Sequence, residues 1–141
     1  IPVTHRDVNQ AVTFLTGHDR TGLAPSAVNW QGIADGSQVI VMYMAIKHLP
    51  EICANLINAG RNPSEPVAVV SNASLPNMTV LETTLGHSAQ DVEKHQITPP
   101  AIIAVGEVVR MRQCLDWISQ MQGHPPRNID PLGTRQHEDT A

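Results

Sequence analysis

The sequence predicts an α/β domain in which a mixed sheet of about five strands is flanked by helices. Three observations lead there. The runs AVTFLT, VIVMY, PVAVV and AIIAV are short, apolar and rich in β-branched residues, and segments with helical apolar spacing separate them. VIVMY, PVAVV and AIIAV are continuously apolar, as strands covered on both faces are. The chain has 141 residues, of which 41% are apolar and only 16% charged, enough for one domain with a real core.

In chain order, residues 11–16 (AVTFLT) form the first strand, closed by Gly17, and HDRTGL after it is loop. Residues 25–34 read as a helix. Pro25 suits its first turn, and Ala27, Trp30, Ile33 and Ala34 fall on one face before Asp35-Gly36-Ser37 breaks it. Residues 37–43 are the next strand. A helix over 46–59 follows, with Leu49, Ile52, Cys53, Leu56 and Ile57 directed inward and Gly60 as its stop. Residues 66–70 form a strand between the Asn62-Pro63 turn signal and the polar turn Ser71-Asn72-Ala73-Ser74. Residues 78–85 read as a strand leading into a helix that reaches about Lys94. Pro99-Pro100 resets the chain, 101–105 is a strand ending at Gly106, and 109–121 is a helix with Met111, Cys114, Leu115, Ile118 and Met121 facing inward. The domain thus spans 1–121. Residues 122–141 hold almost nothing to bury and are expected to be a disordered tail.

Composition removes several classes of function. The formal net charge of −4 gives no reason to expect nucleic acid or an anionic membrane as partner. No apolar run approaches the ~20 residues that span a bilayer, so a cytoplasmic location is the default. The opening Ile1-Pro2-Val3 reads like the interior of a longer chain. Cys53 and Cys114 read as small hydrophobes in helices, and the seven histidines are scattered, so no metal is expected. GxGxxG, GxxxxGK[ST], GxSxG and HExxH are all absent, which takes the main support from NTPase and serine-hydrolase readings.

In open sheets, ligands lie outside the carboxyl ends of strands. Three such ends qualify here: MYMA, VVSNAS and AVGEVV. Met44 is either a flexible core filler or, with Tyr43, a polarizable wall for a flat ring beside exposed backbone groups. Ala73, small and in a turn, either packs or lets a ligand approach the backbone. In Thr4-His5-Arg6-Asp7, Thr4 or Asp7 suits a helical cap, whereas Arg6, with Arg20 from the TGHDR loop, offers forks for a poly-carboxylate. The residues alone leave these alternatives open.

Taken in order, IPVTHRD, VTFLTGH, VIVMYMAIK, PVAVVSNAS, TTLG, PPAIIAVGEVV and LDWIS resemble the carboxyl-terminal half of the tetrapyrrole methylase family, and within it the members that act on uroporphyrinogen III. The similarity runs from Ile1 to about Ser119. It implies the C-terminal αβα domain of that fold, transfer of methyl groups from S-adenosyl-L-methionine to uroporphyrinogen III to give precorrin-2 for siroheme and cobalamin, and assembly as a homodimer. It also implies a missing N-terminal domain, which carries the glycine-rich loop, the GGD segment and the groups proposed for the chemistry, so that the fragment alone would be inactive. The family's cofactor-contacting methionine falls on Met44, with Tyr43 beside it, and its turn residue falls on Ala73. Arg6 and Arg20 would meet the substrate's carboxylates. The chain departs from the family at Ala45 and Ala73, where many members have glycine and the added methyl leaves less room, and at Asn77-Met78, where glutamine-arginine is usual. The competing readings are a methylase of a later precorrin and a non-catalytic cofactor-binding or dimerisation module.

Overall fold

The computed structural model describes residues 1–133. Its strands β1 (Thr13–Thr16), β2 (Ile40–Tyr43), β3 (Pro66–Ser71), β4 (Thr79–Thr84) and β5 (Ala101–Val105) form one sheet in the order β1-β2-β5-β3-β4. β1 and β2 are parallel, whereas β5 is antiparallel to β2 and β3, and β4 is antiparallel to β3. The sheet is mixed, as the sequence predicts.

This topology decides which strand ends meet. β5 enters between β2 and β3 from the opposite direction, pairing Tyr43 with Ile102 and Ser71 with Ala101. The carboxyl ends of β2 and β3 therefore flank the start of β5. The AVGEVV end, expected to be a third ligand-facing edge, lies at the far side of the sheet, where the Gly106 amide donates to the Pro66 carbonyl at the start of β3 (2.9 Å).

Side chains alternate across a strand, so each central strand serves two cores. Ile40, Met42, Val67, Val69, Ile103 and Val105 face the helices α1 (Trp30–Gly36), α2 (Leu49–Asn58) and α3 (Ser88–Lys94). Val39, Val41 and Ile102 face Val108, Met111 and Cys114, with Val8 and Val12 from the amino-terminal segment. α2 forms where the apolar spacing predicts, and buries Leu49, Ile52, Cys53 and Leu56. Burial of such an aliphatic side chain contributes about 1.5–3 kcal/mol. Its first turn, expected from Ile46, is a 3₁₀ turn over Ile46–His48. Gly60, at φ 100°, ends it by letting the Arg61 amide reach the Leu56 carbonyl (3.0 Å).

Two helices differ from expectation. α1 begins at Trp30, because the Asn29 side chain accepts the Gly32 amide (3.0 Å) and caps the helix five residues beyond Pro25. The expected helix over 109–121 is a 3₁₀ turn, Glu107–Met111, followed by α4 (Arg112–Leu115) and α5 (Trp117–Met121). Asp116 separates them, turning its backbone out of the helix and capping the Ser119 amide (3.4 Å). Leu115, just before the break, is 45% exposed, and Met121, beyond it, is 78% exposed, so neither faces inward as the stripe predicts.

Arg61 ties the ends of the first two helices together. It pairs with Glu65 (Nε to Oε2, 2.8 Å) and donates to the Ser37 and Ala34 carbonyls, with both charged side chains largely buried. Burial pushes the Glu65 carboxyl up more than Arg61 pulls it down. On the other face, Glu82 of β4 accepts from Arg112 and Arg127, and Arg112 also pairs with Asp116 (2.9 Å). Burial pushes the Glu82 carboxyl up, but the bonds and charges of the two arginines outweigh it and the net shift is downward. A depressed carboxylate stabilises the fold above its ordinary titration range, and this is lost as pH falls through the folded value. Glu82→Gln is accordingly expected to flatten the acid limb of a plot of urea-unfolding midpoint against pH. A limb unchanged in the variant would show that Glu82 carries no acid sensitivity.

Gly123 to Gly133 adds neither helix nor strand, yet the Asn128 amide donates to the Gln113 carbonyl (3.2 Å) and Leu132 packs against the Val41 cluster. The end of the expected tail, residues 134–141, lies outside the described residues.

Candidate functional site

Where β2 and β3 end, the backbone turns left-handed without glycine: φ is 54° at Met44, 52° at Asn72 and 67° at Ser74. Asparagine visits this region at little cost, but a methionine held there stores about 1–3 kcal/mol of strain and stays only where its surroundings impose it. At Met44 the constraint is Gly17. Its amide donates to the Tyr43 carbonyl (2.7 Å), and its backbone is pressed against Met44 and Ala45 with no room for a side chain. On the β3 side, the Asn72 amide donates to the Pro100 carbonyl (2.9 Å), the Ser71 hydroxyl to the Thr98 carbonyl (2.9 Å) and the Leu75 amide to the Asn72 carbonyl (3.0 Å). The two turns are thus fixed independently, one by the loop after β1 and the other by the Pro99-Pro100 segment.

Between them lies a cavity of about 780 Å³. Tyr43, Met44 and Ala73 all line it, joined by Ile46, Val70, Leu75 and Ile102, so the three candidate cofactor residues are brought together. Met44 is 60% and Tyr43 44% exposed. Such exposure removes the alternative of Met44 as a core filler. Phe14 of β1 stacks on Tyr43 with ring centroids 6.3 Å apart, outside the cavity lining. Of the two alanines expected to stand where glycine is common, Ala45 is completely buried in the core, so its methyl does not narrow the cavity; Ala73 lines it.

The candidate substrate residues are placed differently. Arg6 and Arg20 are exposed, and neither lines the cavity. Arg6 sits in a turn that does not continue as helix, closed by the buried Asn9, whose amide group donates to the Val3 and Ala11 carbonyls (2.8 and 3.1 Å). Arg20 lies in the loop after β1, which is organised by Asp19: its carboxylate accepts the Thr21 hydroxyl and amide and the Leu23 amide, and the Thr21 bonds hold it below the ordinary carboxylate range. His48 Nε2 lies 2.9 Å from the Gly22 carbonyl and fastens this loop to the turn after β2.

Sequence reasoning missed His18, Lys47, His48, Asn72 and the Pro99-Pro100 pair, all of which line the cavity. The readable signals were an Asn in a strand-end turn and two prolines before a central strand. Chemically, the wall is apolar with histidine and lysine at its mouth and no aspartate or glutamate in its lining, which suits a flat, partly anionic ligand. Among the described residues, no three of His, Cys, Asp and Glu group as a metal site, and no helix is long and apolar enough to cross a membrane.

Comparison with known proteins finds similar sequences and folds. The family model described as Tetrapyrrole (Corrin/Porphyrin) Methylases matches residues 1–89. A uroporphyrinogen-III C-methyltransferase from Sinorhizobium sp is 63% identical over 135 residues, covering 96% of this chain and 48% of the relative. A siroheme synthase from Psychrobacter arcticus is 42% identical over 117 residues, covering 83% of this chain and 21% of the relative. The crystal structure of a Thermus thermophilus uroporphyrin-III C-methyl transferase complexed with S-adenyl homocysteine superposes with a TM-score of 0.68 at 29% identity, covering 78% of this chain and 48% of that one. The chain spans about half the length, or less, of these relatives.

Proposed function

Because the chain belongs to the tetrapyrrole methylases, we propose that it supplies the carboxyl-terminal half of a cleft in which S-adenosyl-L-methionine methylates uroporphyrinogen III to precorrin-2, on the route to siroheme and cobalamin. The observation that carries this reading is the convergence of two left-handed strand ends, at Met44 and at Asn72-Ala73, on one apolar cavity. Its volume of about 780 Å³ suits an adenosyl group. Tyr43 and Met44 form the wall for the flat ring. The backbone beside Met44 and Ala73, turned out of the sheet, meets the ring's polar edge.

When bound, the donor supplies a methyl group on a sulfonium sulfur, which departs as a neutral thioether. The chain's own contribution is to hold that group rigidly and keep water from it, the two effects on which such a displacement depends most. No carboxylate lines this half of the cleft; the catalytic groups are assigned to the N-terminal domain that the resemblance implies, and the chain alone is expected to be inactive. That domain, or the second subunit of a homodimer, covers the exposed Phe14–Tyr43 pair. Arg6 and Arg20, exposed outside the cavity, are assigned to the outer carboxylates of the tetrapyrrole. The THR opening and the VGEVV ending favour uroporphyrinogen III over a later precorrin. Burial of Ala45 removes part of the support for a non-catalytic module, since its methyl does not enter the cavity.

Calorimetric titration of the full-length protein with S-adenosylhomocysteine tests this reading. Saturable binding at sub-millimolar ligand is expected, together with methyl transfer to uroporphyrinogen III. Absence of both would leave only the fold.

A further inference from the structure

The cavity lining carries a positive charge and no negative one, although the chain as a whole is acidic. The formal net charge is −4, yet the cavity lining holds Lys47, His18 and His48 and no carboxylate. Lys47 sits on a short frame. It lies in the 3₁₀ turn whose last amide, that of His48, donates to the Ala45 carbonyl (3.1 Å), and Leu49 immediately after it is buried in the core. His18 belongs to a loop fastened to that same frame at both ends, by the Gly17 amide on Tyr43 and by the His48 ring at Gly22. Lys47 itself is exposed and makes no ion pair among the described residues. A flexible ammonium with no acidic partner among the described residues, lining a largely apolar cavity, is placed to meet an anion from the ligand.

We propose that Lys47, with His18 at the same mouth, is the carboxylate-recognising position of this cavity. The inference rests on the methyltransferase reading and deepens it. The carboxylate has two sources, the methionyl end of the donor or an acetate or propionate arm of the tetrapyrrole, and the chemistry Lys47 reads is the same in both. Arg6 and Arg20 do not serve this role inside the cavity, because neither lines it.

The test uses the full-length protein and its Lys47→Met and Lys47→Arg variants. Dissociation constants are measured by calorimetry for S-adenosylhomocysteine and for 5′-methylthioadenosine, which lacks the amino-acid end, and KM is measured for uroporphyrinogen III. If the donor's carboxylate is the partner, Lys47→Met weakens S-adenosylhomocysteine about tenfold and leaves 5′-methylthioadenosine unchanged. If the substrate's arm is the partner, KM for uroporphyrinogen III rises about tenfold at unchanged donor affinity. In either case Lys47→Arg stays near the parent protein. The proposal is overturned if the parent binds and methylates while Lys47→Met matches it in all three quantities, or if the two variants lose equally, since arginine keeps the charge and a loss it shares with methionine is not a loss of charge. A parent protein that neither binds nor methylates removes the function reading itself, and this proposal with it.

Discussion

Met44→Arg is expected to raise the dissociation constant of the full-length protein for S-adenosylhomocysteine at least about a hundredfold, or about 2.8 kcal/mol, while leaving its unfolding midpoint in urea nearly unchanged. The two halves of that expectation have separate physical sources. Met44 is 60% exposed and belongs to the cavity wall rather than the core, so the fold loses little packing when its side chain changes. Substitutions at such positions usually move stability by about 0.5 kcal/mol or less. An adenosyl ring seated against the new side chain would instead strip water from a guanidinium, and no carboxylate in the lining offers itself as partner. That desolvation costs several kcal/mol, roughly the size of the expected loss or more. Lys47, on the same mouth, adds like-charge repulsion. Calorimetry measures the affinity and circular dichroism the unfolding. An unchanged dissociation constant would mean that the ring lies elsewhere.

What the sequence disclosed about this site follows from which physical signals are local. VIVMY is a short, β-branched, continuously apolar run of the kind that central strands carry. Its end at Tyr43-Met44 was therefore readable as an edge, and Ala73, a small residue in the turn after PVAVV, was an open candidate that the resemblance paired with it. Strand direction is not written in the run itself. AIIAV reads the same whether β5 is parallel or antiparallel, so the AVGEVV end was expected at the site when the Pro99-Pro100 end occupies it. The start of α1 failed for a related reason: Pro25 offers an acceptable first turn, but the Asn29 side chain's bond to the Gly32 amide places the start later, and that bond is not written in the apolar pattern. From Val109 to Met121 the apolar spacing continues straight across a break, because Asp116 acts through a cap and an ion pair that periodicity does not register. The left-handed backbone at Met44 was invisible for the opposite reason, since nothing in a methionine announces it and the cause lies in Gly17, twenty-seven residues earlier.

Gly17 is where fold and site are joined, and Gly17→Ala is expected to cost about 3 kcal/mol of folding stability and to weaken S-adenosylhomocysteine binding in the same step. A Cβ at this position would stand 2.1 Å from Ala45 Cα, 2.5 Å from the Met44 carbonyl oxygen and 2.6 Å from the Ala45 amide nitrogen. Every one of those atoms is backbone, so no rotamer change relieves the overlap. Ala45 cannot retreat, because it is fully buried in the core beneath α2. The loop after β1 cannot retreat without losing the Gly17 amide bond to Tyr43. Whichever side yields, the left-handed turn that presents Met44 moves with it. Against a typical total stability of about 5–15 kcal/mol, a loss of this size is a large share of the whole. Gly36 provides the comparison: a Cβ there meets nothing within 4 Å, so Gly36→Ala should match the parent protein in both urea midpoint and ligand affinity. If Gly17→Ala were as harmless as Gly36→Ala, the contact between the loop after β1 and the turn after β2 would not be what holds Met44 in place. If it lost stability but kept full affinity, the site would depend on the β3 turn at Asn72-Ala73 rather than on the end of β2.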